Sequence, residues 1–165
     1  DIRLYKSIKF PLDWKLEKVL MSNVSAVDTN ILKIGKYWWL FTNIDSSDSG
    51  DHCSELHIYF SGELLSNKWE PHPSNPVIFD ARKARNAGFI RDNNDFYRVY
   101  QKQGWDFYGK KFGIAKILTI NKLKYEEQTE FEISPDFFKS AKGTHTFNVN
   151  EDLAVLDFVT IEKSN

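Results

Sequence analysis

Three segments of this chain open at positions 58 residues apart, and that spacing constrains the fold more than any other feature. Asp28, Asn86 and Thr144 mark the openings (86 − 28 = 58; 144 − 86 = 58). The segments read VDTNILKIGKYWWLFTN (27–43), RNAGFIRDNNDFYRVYQ (85–101) and GTHTFNVNEDLAVLDF (143–158). Each has a polar or small opening, a short apolar strand, a tight polar turn and a strongly apolar strand. A strand-based repeat of this length implies stacked β units. The turns Gly35-Lys36, Asn93-Asn94 and Asn150-Glu151 carry the residues that hairpins favour, because Gly and Asn accept positive φ at low cost.

The spacing therefore predicts an all-β chain. Aromatic content of 15%, concentrated in the strand-like runs, agrees, since aromatic side chains suit pleated, half-buried surfaces. In the first unit, hairpin strands at Asn30–Ile34 and Tyr37–Ile44 precede a polar loop, DSSDSGD (45–51), and an alternating strand at Glu55–Phe60. Leu64–Lys68 is short. The prolines of 71–76 restrict the next stretch to an edge strand or ordered loop. The second unit repeats the order, with Gly88–Arg91, Phe96–Gln101, a loop at 104–109, Lys111–Ile120 and Tyr125–Ile133. The third stops after two strands. Residues 11–20 (PLDWKLEKVL) read as a short helix or an outer strand.

Four-stranded antiparallel units in series are the pattern of a β-propeller. A β-sandwich with chance similarity between its hairpins is the alternative. The expected organisation is a single partial propeller over 1–165, with units at about 23–80, 81–138 and 139–165. A propeller needs roughly four or more blades. The chain is accordingly expected to join the remaining blades or another copy of itself, and its start at Asp1 is read as that of a processed product or a piece of something longer.

Net charge is −1 with acids and bases mixed, and no basic stripe neutralises phosphates, which argues against nucleic-acid binding. The single cysteine, Cys53, allows no intrachain disulfide and leaves the redox compartment open. No apolar run reaches membrane-spanning length, no signal peptide is visible, and the sequon Asn23-Val24-Ser25 carries little weight.

If the first strand of each unit starts near a common axis, the repeat starts converge. Asp28, Arg85 with Asn86, and Thr144 with His145 then share one pocket. A carboxylate, a guanidinium, an amide and an imidazole together suit a polyhydroxylated ligand such as a sugar or glycan. Asp28 and His145 can instead simply pin turns, and Arg85 can pair with Asp80 or another surface acid. Gln101, Trp105 and Tyr108 follow the second hairpin. The two rings suit stacking on a pyranose face or, more plainly, core packing. Glu126 and Glu127 are strand neighbours on opposite faces, so they do not form one acid/base couple. The cluster Asp51, His52, Cys53, Glu55 and His57 matches no zinc spacing, so no metal site is assigned. No phosphate loop or dinucleotide fingerprint occurs, and no cofactor is implied.

The runs FPLDW (10–14), VDTNILKIGKYWWLF (27–41), LLSNKWEPHPSNPV (64–77), ARNAG (84–88), FYRVYQ (96–101), YG (108–109), YEE (125–127) and GTHTFN (143–148) together carry a family likeness. The chain resembles the five-bladed propeller domain at the N-terminal side of plant glucosamine inositolphosphorylceramide transferases. Bacterial relatives of that domain stand alone or are fused to sugar formyltransferase domains. The resemblance covers nearly the whole chain and implies the C-terminal part of that propeller. More distantly, VD before an aromatic hairpin resembles the inner strands of glycoside hydrolase families 32, 43 and 68. That likeness implies a catalytic or acid-tuning part for Asp28, while Arg85-Asn86-Ala87-Gly88 offers no partner acid at the second start.

Three functions are thus open. The first is a carbohydrate-binding or glycan-processing domain beside a sugar-modifying enzyme. The second is a glycosidase using Asp28. The third is a structural interaction module.

Overall fold

A computed structural model describes residues 1–103, 109–150 and 152–160. The described chain is all-β, built of antiparallel strands with one short 3-10 turn at Pro135–Phe137. It begins with a hairpin, β1 (Ile2–Lys9) and β2 (Asp13–Met21). Residues 11–20 therefore resolve as an outer strand. Its fully extended Trp14-Lys15-Leu16 pairs with Ser7, Lys6 and Tyr5 of β1, which leaves no helical repeat.

The first sheet runs β3 (Ala26–Ile34), β4 (Tyr37–Ile44), β5 (Glu55–Ser61) and β6 (Glu70–Pro71), with β7 (Ile78–Phe79) also on β5. The proline-rich 71–76 stretch separates β6 from β7, so each is a two-residue edge strand, as missing proline N–H groups dictate. The second sheet is a four-stranded meander of β8 (Asn86–Asp92), β9 (Asp95–Lys102), β10 (Lys111–Ile120) and β11 (Tyr125–Ile133). After it come β12 (Ala141–Gly143), β13 (Phe147–Asn150), β14 (Leu153–Leu156) and β15 (Val159–Thr160), paired as β12–β15 and β13–β14. The third unit thus has a second short pair beyond the two strands its sequence suggested. Gly35 and Asn93 sit at positive φ in the turns of the β3–β4 and β8–β9 hairpins.

Period-2 alternation gives the first and second sheets two buried faces each, and three apolar layers result. Ile2 and Leu20 at the base of the first hairpin pack with Leu40 and Trp69. Trp39, Phe41, Leu56, Ile58 and Phe60 from the other face of the first sheet meet Phe89, Ile117 and Tyr125 of the second. The far face of the second sheet, with Val99, Phe112 and Ile114, meets Phe147 and Leu156.

Two devices set the spacing of these layers. Gly88 stands at φ +139°, and a Cβ there would lie 2.3 Å from the Phe147 carbonyl oxygen, so only glycine lets β8 and β13 approach. Arg98 lies on the face of β9 toward the first sheet, fully buried. Its guanidinium meets the Glu127 carboxylate at 2.6 and 2.7 Å and donates to the Lys83 carbonyl at 2.8 Å. Burial pushes the Glu127 carboxyl up, but the Arg98 charge together with the hydrogen bonds from Arg98 and Tyr125 outweighs this and leaves it below its ordinary value. Burial and then the Glu127 charge hold the neighbouring Tyr125 hydroxyl well above the ordinary tyrosine value. Glu126, on the opposite face, pairs with exposed Lys124.

Candidate functional site

The repeat starts are shaped by broken registers. Between Val27 and Asn30 the pairing of β3 with β4 slips, and Asp28 stands at φ +51° inside that irregularity. The pairing of β8 with β9 slips between Asn86 and Gly88, the equivalent place. Bulges re-aim side chains that a regular strand would send into a face. Asp tolerates the left-handed region better than most residues, because its short polar side chain can bond locally.

The first two starts meet. Arg85 Nε donates to Asp28 Oδ2 at 2.6 Å, with both side chains mostly buried. Asn86 Nδ2 donates to the Asp28 carbonyl at 3.1 Å. Gln101 Nε2 reaches both Asp28 Oδ2 and the Asn86 carbonyl at 3.4 Å. Asp28, Arg85, Asn86 and Gln101 therefore form one network. Arg85 pairs with Asp28, not with Asp80. Asp80 is held by Arg82, first through the side-chain hydrogen bonds of that guanidinium, which pull its carboxyl down to about 2.

The third start is attached indirectly. Among the described residues no hydrogen bond joins His145 to Asp28. The imidazole Nδ1 lies 3.1 Å from Asp157 Oδ2, and both His145 N–H and Thr146 N–H donate to Asp157 Oδ1. Burial raises the Asp157 carboxyl, but these backbone donors and the imidazole bring it below its ordinary value. A relay connects the two centres. Gln103 Nε2 donates to Gln101 Oε1 at 3.1 Å, Gly109 N–H donates to Gln103 Oε1 at 3.1 Å, and Thr144 N–H donates to the Gly109 carbonyl at 2.9 Å. Trp105 and Tyr108 lie outside the described residues.

Asn43 belongs to the site and was not singled out from the sequence. It is fully buried. Its Nδ2 donates to the carbonyls of Glu55 and Ala84, and its Oδ1 accepts the Asn86 N–H at 2.7 Å. The signal was present, because Asn43 and Gln101 are also one repeat apart (101 − 43 = 58). Each is an amide at the end of a unit's second strand: Asn43 reaches forward to Asn86 at the start of the second unit, and Gln101 reaches back to Asp28 and to the Asn86 carbonyl. A second row flanks the network: the Thr29 and Thr42 hydroxyls share a 2.6 Å hydrogen bond, and His57 Nε2 lies 2.7 Å from Glu55 Oε2.

Arg85 Nη1 also lies 3.3 Å from Cys53 Sγ. His52 turns to Ser25, Glu55 to His57, and Asp51 caps the Cys53 N–H, so these five residues do not converge. Among the described residues no group of three or more His, Cys, Asp or Glu is placed to hold a metal ion, and no helix is long and apolar enough to cross a membrane.

An all-β stack whose repeat starts are tied by a buried polar seam is the class that this geometry defines. The chain belongs to the family described as glucosamine inositolphosphorylceramide transferase 1, N-terminal, whose model matches residues 1–163. It is 34% identical over 152 residues to glucosamine inositolphosphorylceramide transferase 1 of Arabidopsis thaliana, covering 90% of this chain and 19% of that protein. It is 32% identical over 152 residues to the protein of the same name from Oryza sativa subsp. japonica, covering 90% and 20%. The chain thus spans about a fifth of the length of these relatives. No solved structure matches it.

Proposed function

We propose that the chain is a carbohydrate-binding or glycan-processing domain of propeller architecture that works beside a sugar-modifying activity. The 58-residue repeat, the antiparallel four-stranded second unit and the packing of β3 on β8 and β8 on β13 support that architecture. The observation that carries the binding reading is Asp28. Its backbone is held at positive φ in a bulge, its carboxylate is gripped by Arg85 and Gln101, and its side chain keeps 24% exposure. Strained, polar and partly open positions cluster at ligand sites. On this reading Asp28 and Arg85 meet sugar hydroxyls or an attached anionic group. Asn86 and Gln101, fully buried behind them, are positioning residues. Trp105 and Tyr108 remain the candidates for stacking on a sugar ring, and His145 for a second contact. The name of the relatives points to glucosamine and inositol phosphate as the first ligands to try.

The test is saturation-transfer NMR with glucosamine, N-acetylglucosamine and an inositol phosphate, on the wild-type chain and on Asp28→Asn. Binding that weakens at least tenfold in the variant supports the reading. Absence of transfer from every ligand, or binding that Asp28→Asn leaves unchanged, overturns it. Turnover of aryl glycosides that vanishes in Asp28→Asn would replace it with the hydrolase reading.

A further inference from the structure

The first hairpin is anchored only at its base. Ile2, Leu4, Leu20 and Met21 join a core layer, whereas nothing from the turn end does. That end carries Ile8, Phe10, Leu12 and Trp14 at 70%, 62%, 75% and 51% exposure. Four large apolar side chains on one projecting turn are more than scattered surface hydrophobicity. They are also held in place. Leu12 N–H donates to the Lys9 carbonyl at 2.8 Å, Trp14 Nε1 donates to the Pro11 carbonyl at 2.9 Å, and the Phe10 and Trp14 rings meet edge to face. The indole N–H is thus satisfied within the turn, and what the tip presents outward is hydrocarbon.

Behind the tip stands a collar of lysines. Lys6 and Lys15 are direct cross-strand partners, Lys9 is opposite Asp13, and all three lysines are exposed. Among the described residues none of the three makes an ion pair. Like charges directly opposite each other on a hairpin are unfavourable in water. Residues 6–15 hold three lysines against one aspartate, a net +2 within a chain of net −1.

We propose that this turn is a membrane-surface anchor. Phe10, Leu12, Ile8 and Trp14 enter the interface of a bilayer, and Lys6, Lys9 and Lys15 lie against its anionic headgroups. The arrangement is that of interfacial anchors, in which an apolar wedge and a basic collar act together, and aromatic side chains favour the headgroup level. A second copy of the chain fits the same surface poorly. A two-fold contact through the tip would set the lysine collars of both copies near one another. The anchor does not depend on the sugar-binding reading. It adds a way for the domain to sit at a lipid surface without spanning it.

Flotation with vesicles of phosphatidylcholine, with and without phosphatidylinositol, tests this. The wild-type chain is expected to float with the anionic vesicles, and less so as salt is raised. Phe10→Ser with Leu12→Ser should lower the partition by about thirtyfold, from the apolar area withdrawn from the interface. Lys6→Glu with Lys15→Glu should abolish the preference for phosphatidylinositol. Leu123→Ser, exposed on a different turn, should float like wild type. All mutated positions are solvent-facing, and an unchanged cooperative melt confirms that the variants fold. Failure of the wild type to float, or flotation that Phe10→Ser with Leu12→Ser leaves intact, overturns the proposal. So does a wild-type dimer in light scattering that this pair of changes dissolves, since the tip would then belong to a second copy.

Discussion

Glu127→Gln removes half of the ion pair buried between the first and second sheets, and its cost follows from the geometry. Arg98 is fully buried, and the Glu127 side chain is 7% exposed. The carboxylate accepts two bonds from Arg98 and one from the Tyr125 hydroxyl. An amide keeps one acceptor oxygen and presents an N–H pair to a guanidinium that has only donors. Removing one member of a buried pair typically costs 3–5 kcal/mol. Because Gln retains part of the bonding, we expect about 3 kcal/mol, a large share of the 5–15 kcal/mol that holds an ordinary domain together. In urea, with a slope of about 2–3 kcal/mol/M, the midpoint should fall by about 1–1.5 M. The repeat supplies the control. One unit earlier, the equivalent positions are Leu40 and Trp69 (98 − 40 = 58; 127 − 69 = 58), which pack in an apolar layer. Arg98→Leu combined with Glu127→Leu should therefore regain most of the loss. The pH dependence has a definite sign. The folded-state pKa of Glu127 lies below the ordinary 4.5, so its contribution is present above about pH 4.5 and is lost as pH falls through the folded value. Glu127→Gln should flatten that acid limb. A loss under about 1 kcal/mol, or a double variant worse than the single, would refute the argument that the pair is a replaceable filler of an otherwise apolar seam.

Gly88→Ala forces a Cβ against the Phe147 carbonyl oxygen at an L-unfavourable φ, and should cost about 3 kcal/mol while exposing residues 145–160 to limited proteolysis. Asn43→Ala strands the Asn86 N–H and two carbonyls in a buried place. A loss of about 3 kcal/mol in denaturant melts is expected, with faster amide exchange at Asn86. Arg82→Ala should raise the Asp80 pKa from about 2 toward the usual carboxylate range in a carboxyl NMR titration, with little change in stability at neutral pH, since Arg82 is largely exposed.

Much of the architecture was legible in the chain because strand alternation and turn chemistry are local. Gly35 and Asn93 mark their hairpins, and Glu55–Phe60 declares a strand by its alternation alone. Residues 11–20 were ambiguous because their apolar spacing fits either period, and pairing with β1 decides between them. The meeting of Asp28 with Arg85 and Asn86 followed from the 58-residue spacing. The slip in register that turns Asp28 to positive φ did not, since a bulge is set by the partner strand and leaves no local mark. His145 was placed at the same hub by counting, but the Asp157 carboxylate, twelve residues on, competes for its ring and backbone. Asn43 stood out less because convergence on a shared axis is expected of the residues that open each unit, whereas Asn43 and Gln101 occupy equivalent places at the far end of the second strand.

The amides at 43 and 101 act as stitches, each fastening the end of one hairpin to the beginning of its neighbour. If the Asp28–Arg85 pair binds a ligand as proposed, a site sewn together this way is hard to rewire from behind, because altering a stitch loosens the sheets as well as the site. New ligand preferences in this lineage would then accumulate in the groups that only lean on the seam, the Asp28 carboxylate and the Arg85 guanidinium, while the amides that position them stay put.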